Sequence, residues 1–314
     1  MSHSVKSIRE QFKAKGVFYT SPELARLLKS YIPEDADCVY DPTCGDGGLL
    51  DVFPDHVAKY GQELDPQQAQ IASERLRGDV HIAAGDTLMS PAFLDRRFRC
   101  IVANPPFSIK WHPESVRPDD ARFCAAPCLP PASKADYAFL LHILHMLDDG
   151  GVAATLNFPG ILYRGQREGK IRRWMVEQNV IDEVVAIEGK HFEDTAIATA
   201  IVIFRKGRTT TDITFRDNLT QQFRNVPFEE IKANDFNLSV NAYVLPPEPK
   251  KPPFNPYDAE MRARSKALKN IRAQIEFSKM VAEFEGWSLN PFLDDIADLV
   301  NEYRAVSTTY NKLS

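Results

Sequence analysis

Asp37-Cys38-Val39-Tyr40-Asp41-Pro42-Thr43-Cys44-Gly45-Asp46-Gly47-Gly48-Leu49-Leu50 is the stretch on which the fold turns. A short apolar strand, Asp37 to Tyr40, feeds a glycine-rich turn and then a predicted helix. That is the geometry of nucleotide-binding units, in which missing side chains let a ligand approach the backbone. The turn has neither the Gly-x-Gly-x-x-Gly spacing of dinucleotide sites nor the Gly-Lys-Ser/Thr of a phosphate loop. The expected ligand is therefore not a pyrophosphate.

The neighbouring strands repeat the theme of a polar residue at the carboxyl end. The strand from Val57 to Gly61 closes at Glu63-Leu64-Asp65, and Glu63 stands twenty-two positions after Asp41, where a carboxylate holds a ribose diol. A helix over Pro66 to Arg77 leads to the strand Val80 to Ala84, closed by Gly85-Asp86-Thr87-Leu88, which places Asp86 to accept from an exocyclic amine. The fourth strand, Cys100-Ile101-Val102-Ala103, preceded by Phe98, stops abruptly at Asn104-Pro105-Pro106-Phe107. Prolines end strands, and in open parallel sheets the carboxyl ends are where ligands bind.

Upstream, residues 1–15 read as a polar, basic, amphipathic lead-in, and Ser21-Pro22 is a helix start running through Leu24, Leu27, Leu28 and Tyr31. Downstream, Ser108 to Ala132 is a long proline-rich loop without periodicity, the kind that serves as a lid or binding loop. A helix opens at Ala135-Asp136-Tyr137-Ala138-Phe139 and carries His142 and His145, three apart, read as ordinary helix histidines. Gly151 to Asn157 is a fifth strand. Arg164, Arg167, Lys170, Arg172 and Arg173 then crowd a stretch with one glutamate, a solvated face or a set of phosphate contacts. Strands at Ile181 to Ile187 and Ala196 to Arg205 continue an alternation with helices that specifies an α/β sheet. A connector of prolines and lysines follows, then a helix from Tyr257 to Phe284 with Met261, Leu268, Ile271 and Ile275 on one face, and another from Pro291 to Ala305.

The chain of 314 residues, 44% hydrophobic and 26% charged, has a globular composition. No apolar stretch is long enough to span a membrane, and the first residues lack the apolar core of a secretory signal, so a cytoplasmic protein is expected. Cys38, Cys44, Cys100, Cys124 and Cys128 are odd in number and irregularly spaced; reduced thiols are expected, and no metal site. A net charge of −5 argues against strong unaided affinity for DNA and favours a partner that supplies contacts.

A glycine turn bearing Asp41, Thr43, Gly45 and Gly47, followed by Glu63, Asp86 and Thr87, suits a cofactor with a nucleoside and a cationic centre but no phosphate. S-adenosylmethionine matches, because its sulfonium benefits from nearby carboxylates. The four residues from Asn104 then acquire a chemistry. An aromatic exocyclic amine is a poor nucleophile, its lone pair being delocalised into the ring. If the Asn104 side-chain oxygen and the Pro105 carbonyl each accept one N–H, the nitrogen is steered towards tetrahedral geometry and its developing charge is stabilised. Proline rigidity fixes the carbonyl, Phe107 stacks on the base, and a base reaches such a pocket only by flipping out of the duplex. Alone, the tetrapeptide does not separate a base in DNA from one in RNA or from a protein amide.

Taken together, these motifs resemble the modification subunits of type I restriction-modification systems, adenine-N6 DNA methyltransferases, over roughly residues 15–245 and in family order. The resemblance rests on Gly16-Val17-Phe18-Tyr19-Thr20, Asp41 to Gly48, Glu63, Gly85 to Leu88, and Asn104 to Phe107 without substitution. Ala135 to Phe139, Gly150 to Gly160, the arginine-bearing stretch to Trp174 and Phe192 to Phe204 extend it. It implies a Rossmann-like S-adenosylmethionine-dependent methyltransferase sheet, α/β with helices on both faces, plus a small C-terminal helical extension. It also implies cofactor contacts from Tyr19 and Thr20, a second aromatic against the flipped base from Phe192, and DNA, a specificity subunit and a restriction subunit as partners. Val17 stands where the family has glutamine. Family members usually carry a helical domain before the opening motif, where this chain has about fifteen residues, so the grip on DNA is expected to need something more.

The expected organisation is a lead-in and first helix over 1–30, a methyltransferase domain over 31–244, a proline-rich linker over 245–256 and a helical region over 257–314. Competing with a partner-dependent DNA methyltransferase are a solitary or phage-type adenine enzyme, a protein-glutamine or RNA methyltransferase, and a non-catalytic assembly subunit that keeps the fold.

Overall fold

The computed structural model describes residues 20–187, 198–244 and 256–310. The lead-in over 1–15, Tyr19, Phe192 and the connector up to residue 255 lie outside them. The chain divides into two compact units, Met1–Pro246 and Pro247–Ser314.

In the first unit the elements run α1 (Pro22–Lys29), β1 (Cys38–Asp41), β2 (Ala58–Glu63), α2 (Pro66–Arg75), β3 (Val80–Ala84), β4 (Phe98–Ala103), α3 (Asp136–Met146), β5 (Leu147–Asn157), α4 (Gln166–Glu177), β6 (Ile181–Ile187), β7 (Thr199–Arg205), β8 (Ile213–Asp217), β9 (Phe223–Val226) and α5 (Phe228–Ala233). The strands form one nine-stranded sheet in the order β3-β2-β1-β4-β5-β7-β6-β8-β9. β1 to β5 are mutually parallel. The chain steps from β1 outward to β3, then returns to place β4 on the other side of β1. That reversal opens a crevice at the carboxyl ends of β1 and β4.

Side-chain alternation along the strands builds a core on each face. Cys100 and Val102 of β4, with Val152, Ala154 and Leu156 of β5, pack beneath Leu24, Ala25 and Leu28 of α1 and Ala72 of α2. Ile101 and Ala103 face the opposite way, against Phe139, Leu140 and Ile143 of α3 and Ile171 and Met175 of α4. The helices start where the sequence says they should. Ser21 Oγ accepts the Leu24 N–H and Asp65 Oδ1 accepts the Gln67 N–H, each just before a proline in the first helical turn.

Two expectations fail. The residues after the glycine turn form a series of turns rather than a helix: only the Asp51 N–H to Gly47 carbonyl bond has helical reach before Pro54 intervenes. The alternation of strand and helix also breaks after β6, since β7 runs antiparallel to both β5 and β6. Only eleven residues separate β6 from β7, and a parallel return needs a longer crossover.

In the second unit, α6 (Pro256–Glu285) and α7 (Asn290–Tyr310) are the two expected helices, α7 running five residues past Ala305. Gly286, at φ 72°, ends α6 in a left-handed cap, with the Trp287 N–H donating to the Ala282 carbonyl. No helix among the described residues is long and apolar enough to cross a membrane.

Candidate active site

Because β1 to β4 are parallel, Asp41, Glu63, Asp86 and Asn104 arrive at one edge of the sheet. Asp41 is buried, 1% exposed. Its Oδ1 accepts the Thr43 N–H at 2.9 Å and the Thr43 hydroxyl at 3.4 Å, while Oδ2 has no hydrogen-bond partner among the described residues. Burial pushes its pKa up to about 7, against the pull of the Thr43 N–H. Glu63 clamps the turn: Oε2 accepts the Gly45 N–H and Oε1 the Asp65 N–H, both at 2.9 Å. A carboxylate has about four lone-pair sites, so each oxygen can still accept from a ligand hydroxyl. Gly45, at φ 54°, has no heavy atom of the described residues within 4 Å of where a Cβ would stand; Gly47, at φ 84°, is closed over by Leu76. The turn is thus sealed on the helix side and open on the other. Asp86 Oδ1 accepts the Leu88 and Met89 N–H groups, and the Thr87 hydroxyl donates to the Pro42 carbonyl at 2.5 Å, tying the third strand end to the first.

Asn104 follows the last residue of β4, with Pro105 buried beneath it and Phe107 half-buried against α1's face of the core. Asn104 Nδ2 donates to Thr20 Oγ1 at 3.0 Å. At the other end of the motif Ser108 adopts a left-handed φ of 54°. Its N–H donates to Asp136 Oδ1 and its hydroxyl accepts from Arg164 Nη2, both at 3.3 Å. Arg164 Nη1 lies 3.3 Å from Glu168 Oε1 and 3.8 Å from Asp136 Oδ2, and its guanidinium covers the Phe158 ring and packs on Gly160, where any side chain would collide with it. Burial raises the pKa of both Asp136 and Glu168, opposed by the Arg164 charge.

The N-6 DNA methylase family matches residues 6–225 of the chain. The chain belongs to that family. It is similar to the methylase subunit of the type I restriction enzyme MpnII of Mycoplasma pneumoniae, 34% identical in an alignment of 230 positions that covers 65% of this chain and 42% of that protein. It is also similar to the MjaIX methylase subunit of Methanocaldococcus jannaschii, 28% identical over 62% of this chain and 38% of that one. Among solved structures, the type I restriction-modification methyltransferase subunit of Streptococcus thermophilus superposes with a TM-score of 0.66 at 32% identity, over 73% of this chain and 59% of that one. The chain spans less than half the length of the two curated relatives and 59% of the solved structure's chain. The sheet is the Rossmann-like methyltransferase sheet with helices on both faces.

Within this N-6 DNA methylase chain the loop from Ser108 is neither loose nor featureless. Trp111 and Phe123 are buried, the Trp111 indole donates to the Pro131 carbonyl, and Arg122 donates to the Thr87 and Leu88 carbonyls while paired with Asp120. Gln62 braces the same region from β2, donating to the Ser90 carbonyl and accepting the Ala92 N–H. Local sequence gave no sign of Gln62, Arg122, Asp136 or Ser108, whose partners are far along the chain; the short Asp120-x-Arg122 pairing was the one available hint. His142 is fully buried, 3.1 Å from the Tyr40 hydroxyl and held neutral with its pKa down to about 3; His145 accepts from Arg97. No group of three His, Cys, Asp or Glu that could hold a metal occurs among the described residues.

The basic run separates into two kinds. Arg172, 4% exposed, donates to the carbonyls of Phe236, Ile161 and Arg164, and so cannot reach a phosphate. Arg164, with its side chain 17% exposed, is engaged by two carboxylates. These two candidates are corrected to internal braces. Arg167 and Lys170 are exposed, and Arg173 is exposed but pairs with Glu177. Phe192 is outside the described residues, though its flanks Ile187 and Thr199 pair in register at the carboxyl edge of β6.

Proposed function

We propose that the chain is the catalytic modification subunit of a type I restriction-modification system, an adenine-N6 DNA methyltransferase acting with a specificity subunit and, in the complete system, a restriction subunit. The observation that carries this is the Asn104-Pro105-Pro106-Phe107 motif at the same sheet edge as Asp41, Glu63 and Asp86, in a chain of the N-6 DNA methylase family. The relatives being methylase subunits of type I restriction enzymes supports the partners, as does the net charge of −5.

S-adenosylmethionine fits the residues present. Among the described residues Asp41 Oδ2 is a buried acceptor without a donor, and nothing stands over Gly45, which would admit a ligand to the backbone. Glu63 is oriented by two backbone N–H groups to take a ribose diol, Asp86 at the third strand end is the acceptor for an adenine amine, and Thr43, Gly47 and Thr87 hold the turn in shape; the family resemblance adds Tyr19 and Thr20 as cofactor contacts. Held by these residues, the cofactor would supply an electrophilic methyl group to the adenine N6 lone pair and would keep the electron pair of the sulfur–carbon bond on sulfur. The chain does the rest by positioning. Asn104 Oδ1 and the Pro105 carbonyl accept the two N6 hydrogens, localise the lone pair and stabilise the charge that develops on nitrogen. Pro106 keeps that carbonyl aimed, and Phe107 stacks on the flipped base, joined by Phe192. One N6 proton, made acidic by the arriving methyl, leaves to water. Arg167, Lys170 and Arg173 contact DNA phosphates.

Adenine-methylation sequencing of DNA from cells expressing the chain with and without its neighbouring genes tests this. Methylated adenine in one sequence context, dependent on a partner gene, is expected; no methylated adenine under any combination refutes it.

A further inference from the structure

The two ends of a carboxamide are nearly the same size, yet only one of them can do what the proposed reaction asks of Asn104. Its oxygen must meet an N–H of the target amine; turned by 180°, its NH2 would face the amine donor to donor. Something must hold the NH2 end, and Thr20, eighty-four residues earlier in the chain, lies with its Oγ1 3.0 Å from Nδ2. Neither partner is loosely placed. Thr20 immediately precedes the cap of α1, where Ser21 receives the Leu24 N–H on its hydroxyl and the Ala25 N–H on its carbonyl. Leu24, Ala25 and Leu28 then bury α1 in the core against β5 strand residues Val152, Ala154 and Leu156. Asn104 is fixed from below by β4 and the buried Pro105.

Resting on the methyltransferase reading above, we propose that Thr20 is a positioning residue for Asn104: its hydroxyl oxygen accepts one Nδ2–H and thereby presents Oδ1 to the target adenine amine. Contact with the cofactor is a separate role, and the two roles have different kinetic signatures. A residue that only binds cofactor changes its dissociation constant; one that orients Asn104 changes the rate of transfer at saturation.

The test uses the full chain assembled with the subunits its methylation requires, and compares Thr20→Val, which keeps the shape and removes the hydroxyl, with Thr20→Ser, which keeps the hydroxyl. Thr20→Val is expected to lower kcat, read at saturating S-adenosylmethionine and DNA, by about tenfold, the scale of one neutral hydrogen bond in a transition state; loss of a cofactor contact by the same residue moves the S-adenosylmethionine dissociation constant and not this value. Thr20→Ser restores kcat to within about threefold. A second readout needs no turnover: the side-chain NH2 resonance of Asn104, assigned by its loss in Asn104→Ala, exchanges faster with solvent in Thr20→Val and not in Thr20→Ser. A Thr20→Val protein with unchanged kcat and a raised cofactor dissociation constant overturns the proposal, as does unchanged amide exchange. Absence of methylated adenine from the wild-type assembly refutes the methyltransferase reading instead, and the exchange measurement still decides whether Thr20 holds Asn104.

Discussion

Replacing Asp41 by Asn isolates what it costs to keep an ionised carboxyl at the closed end of β1. Oδ1 is satisfied by Thr43, but Oδ2 is buried without a partner among the described residues, and burial, with a smaller push from the Glu63 charge, carries the pKa from 3.8 to about 7. The unfolded chain releases this proton near its ordinary value and the folded chain near pH 7. Between the two the folded state binds more protons, so stability falls as pH rises across that window and is level above it. With about 1.4 kcal/mol per unit, the full penalty is on the order of 4 kcal/mol, of which about 2–3 kcal/mol develops between pH 5 and pH 8. Asn keeps the acceptor for Thr43 but places an unpartnered NH2 where Oδ2 was, at a cost of about 1–3 kcal/mol that does not depend on pH. Asp41→Asn is therefore expected to gain about 2–3 kcal/mol on wild type between pH 5 and pH 8, from near parity at the lower value to the more stable protein at the higher. Urea unfolding of both proteins at the two pH values, followed by the fluorescence of the buried Trp111, measures the difference. A stability difference that is the same at pH 5 and pH 8 refutes the reasoning, because it means the carboxyl is already ionised in the folded protein at the lower pH.

Arg172→Met, which strands three backbone carbonyls in the core, is expected to destabilise the sheet unit by about 2–4 kcal/mol in thermal or urea unfolding, whereas Arg167→Ala and Lys170→Ala leave the midpoint unchanged. In the assembled enzyme each of the latter two lowers the salt dependence of DNA binding by about one phosphate contact; an unchanged slope removes them from the interface. Gly45→Ala costs about 1 kcal/mol through its positive φ but also fills the open side of the turn, so the S-adenosylmethionine dissociation constant rises by about tenfold or more, measured by calorimetry; an unaltered constant places the cofactor elsewhere. Arg164→Lys keeps a charge near Asp136 and Glu168 but loses the fork that also reaches the Ser108 hydroxyl, and limited proteolysis of the loop after Phe107 should quicken; wild-type resistance would show that Ser108 is held without it.

The carboxylates of the candidate site were legible because strand ends are legible: an apolar run, a polar residue and a turn place Asp41, Glu63, Asp86 and Asn104 at one edge once the strands are parallel. Helix starts were legible for a similarly local reason, a cap and a proline at Ser21-Pro22. What local signals do not carry is burial and long-range pairing. Arg172 and Arg167 look alike in sequence, and only the approach of Phe236 and Ile161 turns one inward. The antiparallel β7 follows from the short reach between β6 and β7, and the missing helix after Gly48 from turn geometry and Pro54. The meeting of Thr20 with Asn104 depends on α1 docking across the sheet, which no spacing announces.

Adenine-N6 transfer is tested most directly by incubating the chain and the proposed specificity partner with unmethylated DNA and S-adenosylmethionine labelled on its methyl group, digesting the DNA and locating the label by mass spectrometry. Label on the N6 of deoxyadenosine for the wild type, and none for an Asn104→Ala protein that still binds the cofactor, is the predicted result. Label on cytosine or on protein amides, or undiminished transfer by Asn104→Ala, would contradict the account.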